Sequence, residues 1–230
     1  MALLGKGVLA IWNGITDAAE VEFIKWHVRE HIPERVGIPG FLRGRRYVAL
    51  EGHPKYFNFY ETESAGTLVS PAYRARLNAP TPWTQTVIKE FRDMSRTICD
   101  VVASVGRGEG AWIEAIRIGA VSELQAFARA ITAAVVGAIA ERDGIVGVHL
   151  LKGVEAPGNT PTVESKLRGR PDDRCDWILL VEAAELDLLR AAAPSGLLRQ
   201  HAAGAAIERG IYRLQFGLTH AELELASARG

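Results

Sequence analysis

Apolar positions along the first hundred residues alternate between short continuous runs and one stretch with a three-to-four residue recurrence. Residues 8–15 form an apolar run ended by Gly14, a strand, and Thr16 or Asp17 then supplies the side-chain oxygen that caps a helix start. In the helix that follows, Val21, Ile24, Val28 and Ile32 make one stripe, and Pro33 removes a backbone donor, so the helix is expected to stop near His31. Ile38-Pro39-Gly40 reads as a turn. FLRGRRYVAL and KYFNFYETE then have strand composition and flank a Gly52-His53-Pro54 hairpin loop. A second helical stretch starts at Ser64, is interrupted by Pro71 and closed by the loop 78–82, and resumes over 87–91. Residues 97–105 are the closing strand.

The same order recurs. Ser122 caps a helix over 123–142, Asp143-Gly144 turns into IVGVHLL, CDWILLVEA is the next strand, a helix over 185–201 breaks near Pro194, and GIYRLQFGL closes the pass. GVLAIWNGITDAAEVEFI lies over AWIEAIRIGAVSELQAFA with Gly14 opposite Gly119, and YFNFYETE lies over WILLVEAA with Glu61 opposite Glu182. An internal repeat of this kind decides the architecture. It implies two βαββαβ units, residues 1–106 and 107–230, joined by the linker Gly106-Arg107-Gly108-Glu109-Gly110. Such a unit buries one sheet face under two helices and leaves the other apolar face to be covered, so the expectation is α+β, two fused ferredoxin-like units packed sheet to sheet as an intramolecular barrel. Residues 152–174, rich in Pro, Gly and charge, stand where a hairpin loop belongs and are expected to be a mobile loop; residues 221–230 are expected to be a tail.

The chain has 230 residues, 48% of them hydrophobic, which suits two units of about 100 residues each. Lys plus Arg balance Asp plus Glu, 27 against 27, so no overall field favours a nucleic-acid partner. No apolar run approaches the roughly 20 residues of a spanning helix, and the opening MALLGKGVLAIW reads as the first strand rather than a secretory signal. Cys99 and Cys175 have neither the spacing of a metal knuckle nor the density of a disulfide scaffold. A cytoplasmic monomer or homodimer is expected.

Polar chemistry is concentrated in the first unit. His31 falls inside the helical stripe and His27 on its edge; each is a core histidine or a general acid or base, since imidazole titrates near neutrality. HVREH matches the inverted zincin pattern H-x-x-E-H, but Glu30 is expected to point to solvent and no third ligand stands at a family spacing, so no metal is expected. Period two sends Arg43, Arg45 and Tyr47 to one face of their strand and Arg46, Val48 and Leu50 to the other. Arg45 either binds an anion through paired hydrogen bonds, or is a solvated charge or a salt-bridge partner of Glu30 and Glu34. Tyr56, Asn58 and Tyr60 share a face; they orient a carbonyl or phenol, or pack as ordinary strand residues. Trp83, in the loop 78–83, is a pocket rim or a plug in the helical layer.

The stretches WHVREHIPERVGIPGFLRGRRY and YFNFYETES with SPAYRARLNAPTPWT resemble the ethyl tert-butyl ether degradation protein D-like group, and the plan of the whole chain resembles the dimeric α/β-barrel superfamily. That resemblance implies a pocket between sheet and helices of a unit. It also implies a range of activities: cofactor-free isomerases, cyclases, lyases and monooxygenases, and haem enzymes. The expectation is a cofactor-independent enzyme acting on a small aromatic or keto acid, with His31, His27 and Tyr60 catalytic and Arg45, Tyr47, Asn58 and Trp83 binding substrate. The alternatives are a metabolite-binding module without turnover and a haem protein using His31 or His27.

Overall fold

The computed structural model describes residues 3–119, 124–155, 161–169, 173–196, 198, 202 and 204–228. The first half runs β1 (Gly7–Ile15), α1 (Glu20–Trp26), a π-helical turn (His27–His31), α2 (Ile32–Val36), β2 (Phe41–Glu51), β3 (Tyr56–Thr62), α3 (Pro71–Asn78), α4 (Pro82–Ile88) and β4 (Phe91–Gly106). The second runs β5 (Trp112–Gly119), α5 (Leu124–Ile131), a π-helical turn (Thr132–Val136), α6 (Gly137–Ala140), β6 (Ile145–Gly153), α7 (Val163–Arg168), β7 (Trp177–Ala183), α8 (Leu186–Ala191), β8 (Ala206–Thr219) and α9 (His220–Ser227).

The eight strands close into one antiparallel barrel in the order β1-β3-β2-β8-β5-β7-β6-β4. Each half contributes the same internal order, β4-β1-β3-β2 and β8-β5-β7-β6, the arrangement of a ferredoxin-like unit. The two sheets therefore face one another as expected, and they are also joined at both edges, β2 to β8 and β4 to β6. No strand edge is left open. The barrel interior is packed by Trp12, Tyr47, Phe57, Phe59, Leu180 and Tyr212 among others, while separate cores lie between each sheet and its helices. A fragment of residues 1–106 would expose the unpaired edges of β2 and β4 together with the Trp12–Phe57–Phe59 face. It is expected to dimerise or aggregate, and a soluble monomer by light scattering would contradict this account.

Several local readings change. The first helix does not end at His31: the Ile32 amide bonds to the His27 carbonyl, a π-type step, and α2 begins with Pro33 in its first turn, where a missing donor costs nothing. The inward face is Phe23, Trp26, His27, Ile32 and Val36, whereas Val21 is 65% exposed. The extra residue in the turn advances the stripe. The same shift occurs in the second half, where Val136 and Ile139 join Ile131 in the core and Ala138 is exposed. Thr16 does not cap with its side chain but donates to Glu90 Oε2 (2.7 Å). The second helical layer of the first half starts after Ser64 as expected, as a 3-10 turn over Ala65–Val69, and resumes as α3 at Pro71, while Phe91 belongs to β4. Residues 221–228 are not a tail: Thr219 and Glu222 form a reciprocal capping box, and His220 Nδ1 lies 2.7 Å from the Val36 carbonyl. Ser122 lies outside the described residues.

Residues 152–174, expected to lack regular structure, contain α7. It packs against α3 and α4 of the first half, and its Glu164 reaches buried Arg35 at 2.5 Å. Val163 donates its amide to Asn78 Oδ1 (3.1 Å). Composition underrated this segment because its anchor is a long-range ion pair rather than apolar area.

Candidate functional site

Between the α1–α2 helix and the outer face of β1, β3 and β2, the first half gathers polar side chains. His27 is buried and His31 half-buried; their rings stack at 5.3 Å, with Phe23 5.0 Å from His27 and Trp26 4.2 Å from His31. Nδ1 of each histidine is shut off from solvent with no hydrogen-bond partner among the described residues. Burial drives both imidazoles well below their usual 6.5; Arg46 and Arg35 add to this at His27, and Arg35 and the neighbouring His27 add to it at His31. Both are neutral at pH 7.

Facing them from the sheet are Asn58 and Tyr60 on β3 and Arg46 on β2, with Arg46 directly across the ladder from Asn58 and Gly44 across from Tyr60. Asn58 Nδ2 donates to Asn13 Oδ1 (2.7 Å), leaving Asn58 Oδ1 buried without a partner, and the Tyr60 hydroxyl is likewise unpartnered. Burial raises the Tyr60 phenol, so it stays a proton donor. Gly44 makes the close approach possible. A Cβ there would stand 3.0 Å from both Ile32 and the Tyr60 ring. Tyr56, on the same face, donates to Glu20 Oε1 (2.6 Å).

Arg45 and Tyr47 are not part of this group. They point into the barrel, where Arg45 is fully buried over Phe59 and Tyr47 and bonds Glu182 (2.9 and 3.1 Å) and Glu61 (3.1 Å). The salt bridges foreseen to Glu30 and Glu34 are absent from its partners. Glu182 also lies 3.3 Å from His149 Nε2 and accepts the Gly110 amide, while Glu61 accepts from Arg43 and the Leu4 amide. Burial alone would raise the Glu182 carboxyl; Arg45 and His149 outweigh it and hold the group well below the usual carboxylate range. Both faces of a barrel strand are buried, so period two separates Arg45 from Arg46 without telling which looks toward the helices.

Trp83 lies in α4 rather than in a loop. It packs on the Phe23–Trp26–Tyr56 cluster and donates to Glu22 (2.9 Å), the plug reading. Glu30 does not face solvent: it accepts from Thr81 (2.6 Å), Thr84 (2.9 Å) and Trp26 Nε1 (3.2 Å), which occupies it in holding the start of α4. Among the described residues no three His, Cys, Asp or Glu side chains cluster as metal ligands. Residues that the sequence reading missed are Arg46, Asn13 and, from the second half, Glu164. For Arg46 a signal existed, because the hairpin register sets it opposite Asn58.

The second half has no such chemistry at the corresponding places. Counting from Glu61 and Glu182, Leu179 stands for Asn58 and Val181 for Tyr60, and Leu150, the partner of Leu179, stands for Arg46. All three are in an apolar core with Val136 and Ile139.

No protein-family model matches the chain, and no curated protein does. Solved structures do share the fold. An anthrone oxidase-like protein aligns at TM-score 0.62 with 14% identity, covering 94% of each chain. A candidate monooxygenase from Lactobacillus acidophilus aligns at 0.60 with 10% identity, covering 94% of this chain and 97% of the other. A candidate chlorite dismutase aligns at 0.52 with 10% identity, over 96% and 98%. These neighbours are ferredoxin-like α+β barrel proteins, and the likeness is one of fold. No helix among the described residues is long and apolar enough to cross a membrane.

Proposed function

We propose that the helix side of the first half, centred on His27 and His31, is a small-molecule site and that the protein is a cofactor-independent enzyme moving a proton on a small aromatic or keto acid. One observation carries this reading. Four polar atoms, Nδ1 of His27, Nδ1 of His31, Oδ1 of Asn58 and the Tyr60 hydroxyl, are buried there without partners, two of them on imidazoles held neutral. Buried polar groups are ordinarily paired, so each exception calls for an explanation, and the one adopted for this cluster is that another molecule completes the bonds. A neutral imidazole accepts a proton from a carbon acid or phenol, and the protonated Tyr60 hydroxyl donates to the oxygen on which negative charge develops.

Isomerisation, cyclisation, lyase chemistry and cofactor-free oxygenation share this first step, proton removal to an enolate or phenolate. The names of two structural neighbours, anthrone oxidase-like and monooxygenase, favour the oxygenation branch. The resemblance of the first 90 residues to the ethyl tert-butyl ether degradation protein D-like group belongs to the same reading, as does the division into a working unit, 1–106, and a mainly structural one, 107–230.

The test is exchange of the acidic C–H of phenylpyruvate and of anthrone for deuterium in D2O, followed by proton NMR. The protein is expected to accelerate exchange of at least one probe, and His27→Gln with His31→Gln to remove about 10²-fold or more of that rate. Acceleration of neither probe, or acceleration that survives the double substitution, would overturn it. Binding without exchange would leave a metabolite-binding module, and a Soret band in the purified protein would indicate haem.

A further inference from the structure

Among the described residues four arginines are buried: Arg35, Arg43, Arg45 and Arg46. Three of them each meet two carboxylates. Arg35 pairs with Glu34 (3.1 Å) and Glu164 (2.5 Å), Arg43 with Glu61 (2.7 Å) and Glu109, and Arg45 with Glu61 (3.1 Å) and Glu182 (2.9 Å). Arg46, 3% exposed, meets none. Its Nε donates to Gln215 Oε1 (3.2 Å), its Nη1 makes a long bond to the Ile24 carbonyl (3.4 Å), and Nη2 has no partner among the described residues.

A guanidinium remains charged at any physiological pH, and a buried charge without a counter-ion is among the costliest features a fold can retain. The protein supplies carboxylates to every other buried arginine, so the omission at Arg46 is specific to this place. It is also the buried arginine standing across the ladder from Asn58 and close enough to His27 to depress its imidazole. Its counterpart in the second half, Leu150, carries no charge at all.

We infer that Arg46, held by Gln215 of β8 and the Ile24 carbonyl of α1, is the anion subsite of the first-half pocket and selects ligands bearing a single carboxylate. The inference rests on the reading of that pocket as the working site and names the residue that reads the charge of the acid. One guanidinium fork matches one planar carboxylate through two parallel hydrogen bonds. Gln215 belongs to the second half, which with Glu164 thereby contributes to a site built mainly by the first.

The experiment compares benzoate with the neutral isostere benzamide. Binding is measured by calorimetry and by the imidazole NMR signals of His27 and His31, in the parent protein and in Arg46→Met, with thermal melts of both. The parent is expected to bind benzoate at least tenfold more tightly than benzamide, and Arg46→Met to bind the two alike while melting at a higher temperature, because an uncompensated charge has been removed. If both probes bind equally in the parent and still move the histidine signals, the pocket stands and the anion subsite is wrong. If neither probe moves those signals, the pocket reading itself fails, and the anion subsite with it. A melt of Arg46→Met as depressed as that of Arg45→Met would show Arg46 to be a structural cation and overturn the inference.

Discussion

Arg45→Met is expected to lower stability by about 3–5 kcal/mol in urea titrations, the largest single effect foreseen for this chain, because it strands buried charges rather than merely deleting a contact. Arg45 holds Glu182 with two bonds and Glu61 with one, at the place where the two halves close on each other, and neither carboxylate has access to water. Glu61 would keep Arg43, but Glu182 would retain only His149 and the Gly110 amide. The double variant Arg45→Met/Glu182→Gln should therefore be more stable than Arg45→Met alone, a coupling that additive contacts would not produce. An Arg45→Met protein within about 0.5 kcal/mol of the parent would show that the interior network contributes little.

The second large effect is on pH dependence. The folded protein holds His27 and His31 below their usual 6.5, whereas unfolding releases them to it. Between the folded and unfolded values the unfolded chain binds more protons, so stability is fully present above pH 6.5 and is lost as pH falls through that window. The maximal slope is about 1.4 kcal/mol per pH unit for each histidine. After burial, the leading charge effects on the pair come from Arg46 on β2, Arg35 on α2, Arg76 on α3 and Arg168 on α7, which reinforce the direction set by burial, with Glu34 and Glu164 standing on Arg35. Glu182, whose folded value is depressed, loses its contribution only below its usual 4.5, so the two windows separate. Melting curves from pH 7 to pH 5 should fall steeply for the parent and much less for His27→Leu/His31→Leu. Equal slopes would mean that the imidazoles are not held neutral in the fold.

The strand order and the sheet-to-sheet closure were legible because they follow from the repeat, and Glu61 opposite Glu182 marked the third strand of each half. The concentration of polar residues in the first half was legible too. What escaped were features that one-dimensional periodicity does not encode. A π-helical turn adds one residue to a helix and rotates every later side chain, which is how Ile32 and Val36 come to share the inward face with Phe23, Trp26 and His27. Alternation along β2 separated Arg45 from Arg46, yet in a barrel whose strands are covered on both sides it did not say which looks inward. Glu164 lies 129 residues from Arg35, beyond the reach of local pattern. The capping box of α9, by contrast, stands in the sequence as Thr219-x-x-Glu222, three residues apart.

A crystal structure of the protein with benzoate bound addresses the location of the site most directly. The account predicts the aromatic ring between the His27–His31 turn and the outer face of β2 and β3, with its carboxylate on the Arg46 fork and with Asn58 and Tyr60 within hydrogen-bond reach of a ring substituent. Benzoate seated inside the barrel against Arg45, or beneath the helices of the second half among Leu150, Leu179 and Val181, would contradict it.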